Sequence, residues 1–178
     1  MPKVIYAMGG VSADGYVVGP DGRFDWLVPD EELHRFHNEQ TRALAGHLLG
    51  RRLYETMVYW ETADDDPSDI AREFALIWQA LPKVVFSRTL DSVKGANTTL
   101  ARDDLRAELT SLQESVRGDV AVGGAELAAE AARPDLIDEY TRSSIRSRSA
   151  AASRSSREIT VSTWNWSRRA RSARASCT

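Results

Sequence analysis

Apolar residues along the first 140 positions fall into short blocks that alternate between two spacings. Lys3–Met8 is apolar and β-prone and predicts a first strand. From Glu31 to Ala45 the apolar positions Leu33, Phe36 and Leu44, with Thr41, lie roughly on one side of a helix, and Asp30 is placed to cap it. His47-Leu48-Leu49 reads as a short buried strand, and Gly50 to Met57 as a turn opening a helix. Asp69–Ala80 has helical spacing, with Ile70, Phe74, Ile77 and Trp78 on its packing side, and Pro82 ends it. Val84-Val85-Phe86 follows as a third strand and Asn97–Ala101 as a weaker one. A helix capped by Asp103 runs to about Val116. Asp119–Val122 is the next strand, Ala125–Ala132 a helix, and Leu136–Tyr140 begins a last strand. Strands alternating with helices predict an α/β fold with a largely parallel sheet.

The connections carry the candidate chemistry. Gly123 and Gly124 join a strand to a helix, where free backbone N–H groups and the helix dipole favour an anion and a missing Cβ admits close approach. The same stretch also reads as a tight connection that binds nothing. Gly50-Arg51-Arg52 repeats the arrangement and adds two guanidinium groups suited to phosphate. Ser87-Arg88-Thr89 ends a strand at the position where open α/β sheets hold ligands. If the sheet brings these three strand ends together, one dinucleotide with several phosphates accounts for all of them. The glycine-rich stretch from Gly9 to Leu27 supplies Ser12, Asp14 and Trp26 and suits either the wall of a small-molecule site or an ordinary hairpin. His34 and His37 share a helix face without a cysteine partner, so solvated surface is expected there and no metal site.

Composition narrows the class. At 178 residues, with 42% apolar and 28% charged positions, the chain suits one globular unit with its own core. Its single cysteine, Cys177, permits no disulfide within the chain, no apolar run is long enough to span a membrane, and the N-terminus lacks the pattern of a signal peptide. A cytoplasmic protein is the expectation. The net charge of −3 hides an asymmetry: residues 141–178 carry nine arginines against one acid, Glu158, a balance of +8, and residues 1–140 carry −11.

Four motifs in order carry a resemblance over nearly all of residues 1–140: VSADGYVVGPDGRFDWL (11–27), LLGRRLYETMVYW (48–60), LPKVVFSRTL (81–90), and DVAVGGAELAAEA with LIDEY (119–140). The chain resembles the C-terminal reductase domain of riboflavin biosynthesis, within the dihydrofolate-reductase-like superfamily, and in particular its small stand-alone bacterial members. The resemblance implies a three-layer α/β/α fold and NADPH as donor of a hydride to a small heterocyclic or carbonyl substrate. It implies that Gly50, Arg51, Arg52, Gly123 and Gly124 meet the cofactor phosphates. By the same carry-over Ser87 and Arg88 lie near the adenosine 2′-phosphate, and Ser12, Asp14 and Trp26 line the nicotinamide and substrate side. Asp14 is the candidate polar group near the reacting centre, and a structural role in its Asp14-Gly15 turn is the other reading of it. Leu53 departs from the family, which usually has Thr there and gains a hydroxyl contact to the cofactor. Relatives commonly dimerise. The alternative, from another class, is a non-catalytic nucleotide-binding protein or a nucleic-acid binder.

Residues 141–178 form a second compositional unit. The family continues with two strands and a VHPVxxGGGxPFF segment, whereas every glycine of this chain lies at or before Gly124 and every proline at or before Pro134. Composition predicts disorder for this Arg/Ser-rich tail, and C-terminal strands that are missing or altered. Back-translation offers a reason. Read from the third base of each codon, Ser144–Ser147 can encode HPV, Ser149–Ala152 can encode GGG, Ser153–Ser156 can encode PFF, and Thr163–Ser167 reads LELV. A one-base slip in reading frame shortly after Tyr140 is therefore expected. Arginines mixed with serines also suit nucleic-acid phosphates, but the shifted frame accounts for the same residues, so nucleic acid is not the expected partner.

Overall fold

The computed structural model describes residues 2–8, 31–146 and 158–164, the segments 142–146 and 158–164 by their backbone course. These form a seven-stranded sheet in the order β4-β3-β2-β5-β1-β6-β7, built from β1 (Val4–Met8), β2 (Gly46–Gly50), β3 (Lys83–Phe86), β4 (Thr98–Leu100), β5 (Val120–Gly123), β6 (Glu139–Arg146) and β7 (Glu158–Trp164). The pairings from β4 through β6 are all parallel, and β7 is antiparallel to β6. The helices are α1 (Glu31–Arg42), α2 (Arg51–Met57), α3 (Asp69–Ala80), α4 (Leu105–Ser115) and α5 (Ala125–Ala132), with a short 3-10 turn at Val58–Glu61.

Alternation along the strands sorts the side chains into two cores. Leu48, Val84, Val120 and Val122 meet Leu105, Leu109 and Leu112 of α4 and Leu127, Ala128 and Ala131 of α5 on one face of the sheet. Leu49 and Val85 meet Tyr54 of α2 and Phe74 and Trp78 of α3 on the other. Helices therefore cover both faces, as a parallel sheet requires. Helix α1 lies against α3 through buried Asn38, whose Nδ2 donates to the Ile70 carbonyl at 3.1 Å and to Glu73 at 2.9 Å.

Chain order places β5 between β1 and β2. The chain leaves β1, skips one strand position to β2, continues outward through β3 and β4, and returns through α4 to fill the gap. The crevice beyond the carboxyl ends of β2 and β5 is thus a topological switch point, where open α/β sheets bind their ligands.

Local signals explain most boundaries. Ser68 caps α3, its side chain accepting from the Ala71 N–H. The cap of α4 is Asp104, not the expected Asp103: Asp104 accepts from the Ala107 N–H at 3.0 Å, and Glu108 accepts from the N–H groups of Arg102 and Asp103. The clearest difference lies at the C-terminus. The unit boundary placed at 140 falls inside β6, which continues to Arg146, and residues 158–164 form β7. The two segments pair from Tyr140–Trp164 to Arg146–Glu158. EITVSTW is rich in β-branched residues at a spacing of two, a strand signal that the arginine-rich surroundings mask in the composition.

Candidate functional site

Register brings the three glycine and serine turns to one edge. Gly50 at the end of β2 pairs with Phe86, the last residue of β3, and Leu49 pairs with Gly123 of β5. Ser87 is the next residue after Phe86. Three adjacent strand ends therefore lie within about 10 Å of one another, at the usual strand spacing. The expected meeting of the Gly50, Ser87 and Gly123 turns is what the topology produces.

Helices α2 and α5 begin side by side at this edge. Gly50 precedes α2 and Gly124 precedes α5, and neither N-cap glycine supplies a side-chain cap, so among the described residues no capping side chain takes the N–H groups of these first turns. Gly124 has φ 95°, which an L side chain rarely adopts, and a Cβ there would come within 3.6 Å of Cα and N of Gly50. At Gly123 a Cβ would lie 2.5 Å from Leu53 Cδ2 and 2.7 Å from His47 Nε2. The two turns form a backbone cradle in ordinary contact with each other, and glycine is called for by the φ of Gly124 and by the space that Leu53 and His47 leave at Gly123.

Arg51 and Arg52 are exposed at the start of α2. Each has a carboxylate at hand: Arg51 donates to Glu55 at 3.1 Å, and Arg52 Nη1 lies 3.4 Å from Glu126 Oε1 in the first turn of α5. Glu126 sits where the α5 dipole favours an anion, and its pairing with Arg52 bridges the two helix starts. Both partners are exposed, so an incoming phosphate competes with a weak surface pair. On β3's side, Ser87 Oγ accepts from the N–H groups of Thr89 at 3.1 Å and Leu90 at 3.0 Å, which tightens the turn that carries exposed Arg88. Ser12, Asp14 and Trp26 lie outside the described residues.

Beneath the cradle lies a residue that sequence reading left as part of a strand. His47 faces the α3 layer, its ring edge-on to Trp78 at 5.8 Å, and its Nδ1 and the Trp78 Nε1 are buried without a hydrogen-bond partner. Burial, followed by the positive charge of Lys83, pushes its pKa down from 6.5 to about 4. Lys83 is itself buried; its Nζ donates to the carbonyls of Trp78 and Leu81 and lies 3.3 Å from Glu61. His34 and His37 are not the solvated pair expected. Both are partly buried, His34 against Trp60 and Phe74, and burial lowers the pKa of each. Among the described residues no group of three or more His, Cys, Asp or Glu side chains could hold a metal ion, and no helix is long and apolar enough to cross a membrane.

A mostly parallel sheet covered on both faces, with uncapped helix starts and basic turns at its switch point, defines a dihydrofolate-reductase-like α/β fold. Solved structures agree. A Shewanella sp. PV-4 protein assigned to riboflavin biosynthesis superposes with a TM-score of 0.59 at 19% identity, over 80% of this chain and 76% of that one. Schistosoma mansoni dihydrofolate reductase gives 0.54 at 16% identity, over 85% and 78%. Acinetobacter baumannii RibD gives 0.55 at 15% identity over 86% of this chain, which spans 48% of that longer protein. In sequence, the uncharacterized protein YyaP of Bacillus subtilis (strain 168) is 26% identical over 133 residues, 73% of this chain and 68% of YyaP. The profile of the RibD C-terminal domain matches residues 2–142, and the chain belongs to that family.

Proposed function

We propose that the chain is an NADPH-dependent reductase that transfers a hydride to a small heterocyclic or carbonyl substrate. One observation carries this reading: Gly50 and Gly124 bring two uncapped helix starts together at the switch point, flanked by Arg51, Arg52 and the Arg88 turn. That donor set fits a diphosphate with a further phosphate nearby. Backbone N–H groups and a glycine cradle suit the diphosphate, and the Arg88 turn, one strand further out, suits a 2′-phosphate.

The bound nicotinamide supplies the hydride, and the protein supplies binding and orientation. In this reading Arg52 exchanges its pair with Glu126 for the diphosphate, and Arg88 meets the 2′-phosphate. On this reading Ser12, Asp14 and Trp26 would serve the substrate side, with Asp14 the candidate polar group near the reacting centre. Membership in the RibD C-terminal domain family supports a reductase-type site, and the identity of the substrate stays at the level of its class.

Titration of the protein with NADPH, read by nucleotide fluorescence, tests the proposal. Saturable binding that weakens about tenfold or more in Arg52→Ala, the loss of a hydrogen bond to a charged group worth about 1.5–3 kcal/mol, is the expected result. Absence of saturable binding, both by this chain and by a version with the alternative reading frame restored after Tyr140, would defeat it.

A further inference from the structure

The cradle and the Arg88 turn belong to different elements, and one side chain joins them. Tyr54 lies on α2, four residues after Gly50, with its ring buried against Leu49, Phe74, Trp78 and Val85. Its hydroxyl oxygen accepts the N–H of Lys94 at 2.7 Å, forty positions away in sequence. Lys94 lies near the far end of the connection 87–97 between β3 and β4. Leu90 and Val93 of that connection pack onto the same apolar cluster as the Tyr54 ring. The near end is closed by Ser87 Oγ, which accepts from Thr89 and Leu90. Arg88 projects from a loop that is therefore fastened at both ends, by Ser87 at the start and by Tyr54 near the close.

We propose that Tyr54 is a positioning residue: through its hydrogen bond to Lys94 it fixes the Arg88 loop against α2 and so sets the selectivity of the site for a dinucleotide bearing a 2′-phosphate. The inference rests on the cofactor reading above. The same short helix presents Arg51 and Arg52 at its start and holds the Arg88 loop at its fourth residue, so Tyr54 governs the separation of the two cationic groups. A ligand that uses both groups feels that separation, and a ligand that uses only the cradle does not. Loss of the hydroxyl removes one neutral hydrogen bond to a part-buried N–H and leaves the ring in place.

The test compares NADPH and NADH titrations of the full chain, Tyr54→Phe and Arg88→Ala, with amide hydrogen exchange at Lys94. The unaltered chain is expected to prefer NADPH, and Arg88→Ala to lose that preference. Tyr54→Phe is expected to weaken NADPH by about 3- to 10-fold, the worth of one such bond, with NADH affinity held and Lys94 exchange accelerated. Equal weakening of both nucleotides marks a merely structural role and overturns the proposal, as does an unchanged preference or unchanged exchange at Lys94. Failure to bind either nucleotide, both by the unaltered chain and by the version with the alternative frame restored after Tyr140, defeats the cofactor reading and this inference together. Normal binding with an unshifted preference in Tyr54→Phe defeats this inference alone.

Discussion

Gly124 holds φ 95°, a conformation that costs a residue with a Cβ about 1–3 kcal/mol, and Gly123 faces Leu53 and His47 across a gap that a methyl group would overfill. Gly124→Ala should therefore lower unfolding stability by about 1–3 kcal/mol in urea titration. Gly123→Ala should cost about 1–3 kcal/mol by overpacking, since the Leu53 tip can yield but the His47 ring, held on Trp78, cannot. His47 gives a second prediction at this scale. Its folded pKa, about 4, lies below the ordinary 6.5, so the unfolded chain binds the proton more readily. The associated stability is fully present above pH 6.5 and is lost as pH falls through 6.5 toward 4. Between pH 7.5 and pH 5 the loss should reach about 2 kcal/mol, and His47→Leu should remove that share of the slope. Equal slopes for both proteins in urea titrations across that interval would refute it. The glycines were legible from sequence because a strand-to-helix turn demands them. His47 was not, because its burial and its unpartnered Nδ1 depend on Trp78 and Gly123, which reach it only after the sheet has formed.

Elements are held in register by interactions that local pattern does not announce. Lys83, the first residue of β3, is buried against Glu61 of the 3-10 turn, and Glu61 also accepts from the Thr98 hydroxyl at the start of β4, at 3.3 Å. One buried ion pair thus ties together the turn after α2 and the edge of the sheet. Burial lowers the Lys83 pKa, and the Glu61 carboxylate opposes that shift. Removing one partner leaves the other charge buried without compensation, so Lys83→Met or Glu61→Leu should each cost about 3–5 kcal/mol. The double variant should cost less than the sum of the two, as a double-mutant cycle by thermal or urea unfolding will show. Strict additivity would mean that the pair does not act as a unit. In the sequence Lys83 is simply the residue between Pro82, which ends a helix, and the strand Val84–Phe86. Helix and strand periods disclosed the order of elements and nearly all their limits, since β2, β3 and β5 are short apolar runs that glycine or proline marks at one end or both. The pairing of Lys83 with Glu61 is long-range and needed the sheet order. Asp104 took the cap expected of Asp103 because Glu108 binds the N–H groups of both preceding residues and draws the chain in one residue later.

At the scale of the whole molecule the question is what completes the sheet. Six strands run parallel from β4 to β6, and β7 closes the β6 edge with an antiparallel ladder from Tyr140–Trp164 to Arg146–Glu158. An uncovered β6 would present unpaired N–H and C=O groups, a template for aggregation. The family profile ends at residue 142, so β7 is composed of residues outside the matched domain. A frame slipped by one base after Tyr140 would offer a different closing segment, in which HPV, GGG and LELV can be encoded. The β6–β7 ladder and the slip give separable predictions. Deletion of residues 147–178, which strips β7 from the β6 edge, should lower the melting temperature and raise light scattering on heating, and no change in either would refute a protective role for β7. A slipped frame predicts that the coding DNA, read in the other register after Tyr140, runs on without stops through those motifs. Restoring that register should then raise stability above that of the chain as it stands by several degrees, since each 1 kcal/mol moves a domain of this size by about 2–4 °C. Early stops in the other register would rule the slip out and leave the nine arginines of residues 141–178 as a native feature. Native arginines would make salt-sensitive binding of nucleic acid, compared between the full chain and one ending at Arg146, the measurement that decides what the tail does.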